Sequence, residues 1–238
     1  MKTYKPGFFG KLFAKKPTPS DRKIRSHIVQ IGDPVLRENC IEVPKETLNE
    51  PLVQDTIKAL KNIIDTHDAL GVSAPQIGVP LRIACVQMTK KQFNSWDTKT
   101  SKERGMEIID KQIIINPICK PLSDETASFR EACTSIQGYS AVVPRFTNVS
   151  VKFMSENGET TLWKARNWTA RLLQHEIDHL NGVLYTDKMI PETFICNYWK
   201  TINAREGNFY LDFGSHLRTL GKFNTFFVPK KIITDRDL

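Results

Sequence analysis

The chain has 238 residues, 40% of them hydrophobic, with 34 Lys and Arg against 26 Asp and Glu for a formal net charge of +8. That is enough for one globular domain with a sizeable core, and no apolar run approaches the roughly 18 residues of a membrane span. Residues 1–31 hold eight basic side chains against Asp21 alone, a net +7 of the chain's +8, so the body is nearly neutral and offers no broad face for DNA.

In chain order, residues 1–27 form a basic tail. It has no acid before Asp21, carries Phe8, Phe9, Leu12 and Phe13 among lysines, and turns Pro-rich at Pro17-Thr18-Pro19. The pattern resembles an organellar transit peptide; the alternative is a disordered basic tail that touches anionic lipid or RNA. Residues 47–67 carry Leu48, Leu52, Ile57, Leu60, Ile63 and Ile64 at helical spacing and predict a helix leading into a Gly-rich turn at Gly71. Residues 81–88, 112–116 and 148–154 read as strands, and Asn157-Gly158 as the turn of a hairpin whose second strand is 160–164. Polar residues 89–104 read as a long insertion loop. Residues 201–238 include Phe209-Tyr210-Leu211, Phe213 and the apolar run 223–228, which can pack on the domain or on a partner. The expected fold class is α+β, with short antiparallel sheets around a central metal-binding helix and a further helix N-terminal to them.

That central helix carries the chemistry. Residues 175–179 read His-Glu-Ile-Asp-His, and at about 100° per residue His175 and His179 fall within about 40° of each other, with Glu176 one step round. Two imidazoles on one face can hold a divalent metal, and the adjacent carboxylate can serve as base for its water. Trp168 and Leu172 share the histidine face, whereas Leu173, Ile177 and Leu180 make a second apolar face, so the helix is expected to be buried on two sides. Asn167 or Thr169 can cap its start and Asn181-Gly182 can end it in a left-handed turn.

The third ligand separates the enzyme classes. A zinc endopeptidase of the metzincin type supplies it downstream in His-x-x-Gly-x-x-His; here Gly182 fits, but the last position is Tyr185 and the only later histidine is His216. Upstream, Glu131-Ala132-Cys133-Thr134-Ser135 offers a thiolate, and Gly71-Val72-Ser73-Ala74-Pro75-Gln76 offers a turn ending in a side-chain amide. These three segments, about 60 and 42 residues apart, resemble in order and spacing the three motifs of the peptide deformylase family.

The resemblance spans residues 28–200 as a catalytic domain, leaving 201–238 as an extension without an assigned role. It implies Cys133, His175 and His179 as ligands of one divalent ion, Fe2+, Zn2+ or Co2+, among which the sequence does not choose. It implies Glu176 as general acid and base, and Gln76 with the backbone N–H of Thr134 as donors to the developing oxyanion. Substrates would be N-formylmethionyl peptides, paired as an added strand beside Gly71 and Val72, with the methionine in an apolar pocket walled by Trp168 and Leu172. Glu131 and Arg145 would pair to hold the strand that presents Cys133, the alternative being an ordinary surface pair. Because family members in eukaryotic cells serve organellar translation, the resemblance implies a mitochondrial location and the organellar ribosome as a partner.

Two motif positions depart from the family's Glu-Gly-Cys-Leu-Ser. Thr134 keeps the backbone N–H, whereas Ala132 places a Cβ where a left-handed backbone would make it cost on the order of 1 kcal/mol. Such strain would favour a third reading, a non-catalytic deformylase-like protein that binds peptide or ribosome. Cys40, Cys85, Cys119 and Cys196 show no paired spacing and are expected to be small buried apolar residues.

Overall fold

The structure, a computed structural model, describes residues 23–211 and 213. The expectations placed on residues 1–22, on 214–238 and on His216 lie outside the described residues.

Helix α1, Pro51–Thr66, starts with proline in its first turn and turns Val53, Thr56, Ile57, Leu60, Ile63 and Ile64 inward. These residues recur at three- and four-residue intervals, so one stripe of the helix buries a continuous apolar surface. The stripe packs on β1, Gly71–Ser73, and β2, Ile83–Met88. Here residues 71–73 are a short strand rather than the expected turn. The turn follows as a 3-10 helix, Ala74–Ile77, closed by Gly78 at φ 85°, a conformation glycine adopts without a Cβ penalty. Three residues are too few for strand periodicity to register in sequence.

Residues 89–104 fold into two short helices, α2, Lys90–Asn94, and α3, Thr98–Glu103, instead of a loop. Each is begun by its own cap. Thr89 and Gln92 exchange side-chain and backbone hydrogen bonds, and Asp97 accepts from the Thr100 N–H at 2.8 Å. Neither helix is long enough to show an apolar stripe, so only the caps betrayed them.

Strands β3, Ile109–Pro121, β4, Thr126–Ala132, β5, Tyr139–Phe146, β6, Asn148–Met154, and β7, Thr160–Arg166, follow. All pairings between these strands are antiparallel. One sheet has the order β1-β2-β3-β6-β7; the other joins β4, β5 and β8, Ile195–Cys196. The β6–β7 hairpin closes through the expected Asn157-Gly158 turn, with Gly158 at φ 79°. Helix α4, Asn167–Leu180, lies between the two sheets with nearly every side chain buried, and α5, Trp199–Ala204, ends the described fold.

The two ends of α4 are built differently. Its C-terminus makes the expected left-handed closure: Val183 N–H donates to Asp178 O at 2.9 Å, Gly182 N–H to His179 O at 3.2 Å, and Gly182 has φ 70°. At its N-terminus the expected side-chain cap is absent. Asn167 sits at φ 49° and donates its N–H to Thr147 O at 2.7 Å, while the Thr169 hydroxyl goes to Glu107 at 2.6 Å. The helix follows β7 without an intervening turn, so tertiary partners take the place of a local cap.

The cysteine expectation holds only in part. Cys40 and Cys85 are buried, and burial first of all pushes both thiols up to about 12, but Cys119 and Cys196 are only half-buried. Among the described residues no helix is long and apolar enough to cross a membrane.

Candidate active site

Helix α4 brings His175 and His179 to one face, their ring centroids 5.0 Å apart. The chain immediately after β4 brings Cys133 to meet them, with its Sγ 3.2 Å from His179 Nε2. One ligand atom from each of the three residues lies within 4.8 Å of the others, and all three residues are buried. A thiolate and two imidazoles at this separation fit a divalent ion with an open position for a further ligand.

The histidine orientation is fixed from behind. Glu131 Oε2 lies 3.0 Å from His175 Nδ1, and because a carboxylate only accepts, Nδ1 carries the hydrogen and Nε2 is left for the metal. Glu131 is fully buried. It is satisfied by Arg145, whose Nε and Nη2 donate at 3.0 and 2.9 Å, and by Arg171 Nη1 at 2.6 Å. Burial alone would raise this carboxyl; Arg145 and the His175 hydrogen bond outweigh it and hold Glu131 well below the usual range. Arg145 also pairs with Asp178, which in turn takes Lys188 at 2.7 Å. The Glu131–Arg145 pair is thus buried, not a surface pair.

The opposite side of the site is uncharged apart from Glu176. Burial pushes its carboxyl up to about 7, against the lowering influence of His175 and of a hydrogen bond from Ser73. Oε2 accepts from the Ser73 hydroxyl at 2.9 Å, whereas Oε1 is buried with no hydrogen-bond partner. An orphaned carboxylate oxygen beside three ligand atoms suits a base that faces a bound water. Gly71 makes room for it: a Cβ there would stand 2.7 Å from Glu176 Cδ. Close approach, and not backbone conformation, requires this glycine.

Gln76 is held at both ends of its amide. Oε1 accepts from Ser73 N–H at 2.9 Å and from its hydroxyl at 3.1 Å; Nε2 donates to Thr134 Oγ1 at 3.0 Å and Ser135 Oγ at 3.2 Å, with Cys133 Sγ at 3.5 Å. The segment at 29–31 ties these parts together, Val29 N–H donating to Gln76 O and Ile31 N–H to Ser135 O. Ala132 is the last residue of β4, pairs with Ser140 and is absent from the positive-φ residues. Its Cβ therefore carries no left-handed penalty, and the strain considered from sequence does not arise.

Of the residues singled out in sequence, Cys133, His175, His179, Glu176, Gln76, Thr134, Gly71, Glu131 and Arg145 converge, whereas the Val72 side chain is buried in the core that α1 packs on. Trp168 and Leu172 instead lie in the neighbouring core with Leu70 and Val86, where the Trp168 ring meets Trp96 edge-on at 6.0 Å. Sequence reasoning missed Arg171, Asp178, Ser73, Ser135 and Tyr185, whose ring stacks on His175 at 6.4 Å. Arg171 and Asp178 stand four residues before and three after His175, and charged residues on a helix otherwise buried on two faces were a readable sign of partners.

A thiolate and two imidazoles backed by a buried carboxylate, with a second carboxylate of raised pKa and an amide donor beside them, define the class: a metal-dependent hydrolase centre in an α+β fold. The polypeptide deformylase family model matches residues 25–194, so the chain belongs to that family. It is 35% identical over 178 residues to a mitochondrial peptide deformylase of Homo sapiens, covering 75% of this chain and 73% of that protein. It is 36% identical over 192 residues to the chloroplastic peptide deformylase 1A of Solanum lycopersicum, covering 81% and 68%. The solved peptide deformylase of Ehrlichia chaffeensis superposes with a TM-score of 0.59 at 28% identity, over 70% of this chain and 88% of that one. That of Thermotoga maritima gives 0.58 at 28% identity, over 71% and 100%.

Proposed function

We infer that this protein hydrolyses the formyl group from the N-terminal formylmethionine of nascent polypeptides, and that it does so in mitochondria. The observation that carries the reading is the convergence of Cys133, His175 and His179 with Glu176 packed against Gly71. A divalent ion held by the three ligands would supply Lewis-acid activation of water and of the formyl carbonyl. Gln76 Nε2 and the Thr134 N–H are the donors for the oxygen on which charge develops. Glu176, with a pKa raised to about 7, is tuned to take a proton at neutral pH and hand it to the leaving amine.

Strand β1 is an edge of its sheet, so the substrate backbone can add to it in a mode that reads little sequence. Trp168 and Leu172, packed in the neighbouring core, support no pocket role for the methionine side chain. Glu131 and Arg145 hold the ligands in register. The endopeptidase reading loses its support, since Cys133 closes the ligand set without a downstream histidine. The binding-only reading loses its motive with the absence of strain at Ala132.

The test is anaerobic reconstitution with Fe2+, Zn2+ or Co2+ in turn, with metal content and release of formate from a formyl-Met peptide measured together. Bound metal without formate release from any form rejects the reading. For location, the organellar relatives and the basic tail support mitochondria, and the organellar ribosome is proposed as a partner because the substrate is a nascent chain. Deleting residues 1–20 should leave activity intact and abolish import, and a cytosolic full-length protein would reject the assignment.

A further inference from the structure

Gln76 has more acceptors than hydrogens. Its amide nitrogen carries two hydrogens, yet three acceptors stand around it: Thr134 Oγ1 at 3.0 Å, Ser135 Oγ at 3.2 Å and Cys133 Sγ at 3.5 Å. The carbonyl end cannot turn to change this, since the Ser73 N–H holds Oε1 at 2.9 Å and a turned amide would face that N–H with its own hydrogens. An oxygen-bearing ligand that needs a Gln76 hydrogen must therefore displace an acceptor already present. The three differ in how readily they yield. Ser135 is fully buried and Cys133 nearly so, whereas Thr134 has the largest exposure of the group at 9%, against 1% for Gln76. Thr134 is also anchored through its backbone and not its hydroxyl, for its carbonyl accepts from Gln30 Nε2 at 2.9 Å. Rotation about its side-chain bond can withdraw the hydroxyl without moving the loop.

We propose that the Thr134 hydroxyl is an internal stand-in for the substrate's acyl oxygen, parking a Gln76 N–H until a formyl oxygen replaces it, so that this side chain sets how tightly the site takes acyl ligands. The proposal rests on the reading of Gln76 as the oxyanion donor. Thr134 acts through Gln76 and is in this respect a positioning residue. The hydroxyl competes with bound substrate and with the transition state alike, so it raises KM more than it lowers kcat. A neutral hydrogen bond of ordinary strength corresponds to about a fivefold change in binding.

The experiment compares the full chain with Thr134→Val, which keeps the shape and loses the acceptor, and Thr134→Ser, which keeps the acceptor. Steady-state kinetics on a formyl-Met peptide are read with each protein fully metal-loaded. The Gln76 side-chain amide resonance, assigned by its loss in Gln76→Glu, is read in the metal-free, 15N-glutamine-labelled proteins. Thr134→Val should lower KM about fivefold, with a smaller change in kcat, and should shift the amide resonance and speed its exchange with solvent. Thr134→Ser should stay near the parent in both. If Thr134→Val does not fold, Thr134→Ala removes the hydroxyl without added bulk and answers the same question. An unmoved resonance, an unmoved KM, or a Thr134→Ser that behaves like Thr134→Val each overturns the proposal. Absence of turnover in the parent takes it down together with the deformylase reading, and a shifted resonance in that case locates the fault in the reading and not in the hydrogen bond.

Discussion

The two halves of the site are held by different forces. Behind His175, Glu131, Arg145, Arg171 and Asp178 form a buried, charge-paired network in which each carboxylate meets at least two cations. Around Glu176 and Gln76, the contacts are hydroxyls and amides of Ser73, Thr134 and Ser135. Removing one member of a buried ionic network strands a charge, so that side tolerates no rearrangement. Neutral hydrogen bonds exchange partners at small cost. Ligand geometry is thus fixed where a metal needs it fixed, and the donors stay adjustable where bonds to substrate must form and break.

The largest effect should come from Glu176→Gln on the adjustable side. The amide keeps the shape and loses the proton acceptor, so metal content should stay at the parent level while kcat/KM falls by about 10⁴-fold, the upper end of what a positioned base supplies. Parent-level turnover would remove Glu176 as the base. On the fixed side, Glu131→Gln leaves Arg171 and Arg145 short of a buried charge and frees the His175 tautomer. Stability should drop by about 3 to 5 kcal/mol, and metal affinity by about 10- to 100-fold. A melt and a chelator competition read the two separately; loss of neither would show that the network does not hold the ligands.

The third prediction concerns pH in the metal-free protein. The Glu176 carboxyl is raised from its ordinary value of 4.5 to about 7, chiefly by burial, so between those values the folded chain binds more protons than the unfolded one. Stability from this group is then present below about 4.5 and is lost as pH rises through about 7, a loss on the order of 3 kcal/mol. Glu176→Gln cannot ionise, and its melting temperature should change less over that window than the parent's. Parallel curves for the two proteins would refute the assignment. The smallest effect belongs to Ala132→Gly. With no backbone strain to relieve, glycine should only add unfolded-state entropy, lowering stability by about 0.4 to 1 kcal/mol with no gain in rate. A faster enzyme would show strain that the strand geometry does not contain.

What could be read in the sequence follows the same division between local and distant causes. His175, Glu176 and His179 are placed by the helical repeat alone, and the Asn157-Gly158 hairpin and Gly182 closure depend on a few adjacent residues. The roles of Ser73 and Arg171 depend on partners 103 and 40 residues away, and no local pattern encodes such a meeting. The start of α4 departs from expectation for a related reason: Asn167 and Thr169 have the residue types of caps, but the distant Thr147 carbonyl and Glu107 take their hydrogens. Strand β1 is not legible in sequence because three residues carry no period, although the Gly71 turn motif points to the same place.

The closure of α4 at Gly182 sets an order of events. A Cβ on Gly182 would stand 2.8 Å from the Arg37 carbonyl, Cys40 N–H donates to Leu180 O, and Arg37 reaches Asp187, 150 residues further along the chain. The end of the histidine helix is therefore sealed by a segment that leaves the ribosome long before it. Contacts of such sequence separation form late, because the loop between them must be closed first. Until α4 has emerged and packed, Cys133 has no histidines to face, so a chain that stops short of it cannot complete the ligand set. The three ligands can take an ion only once the segments that carry them have folded together.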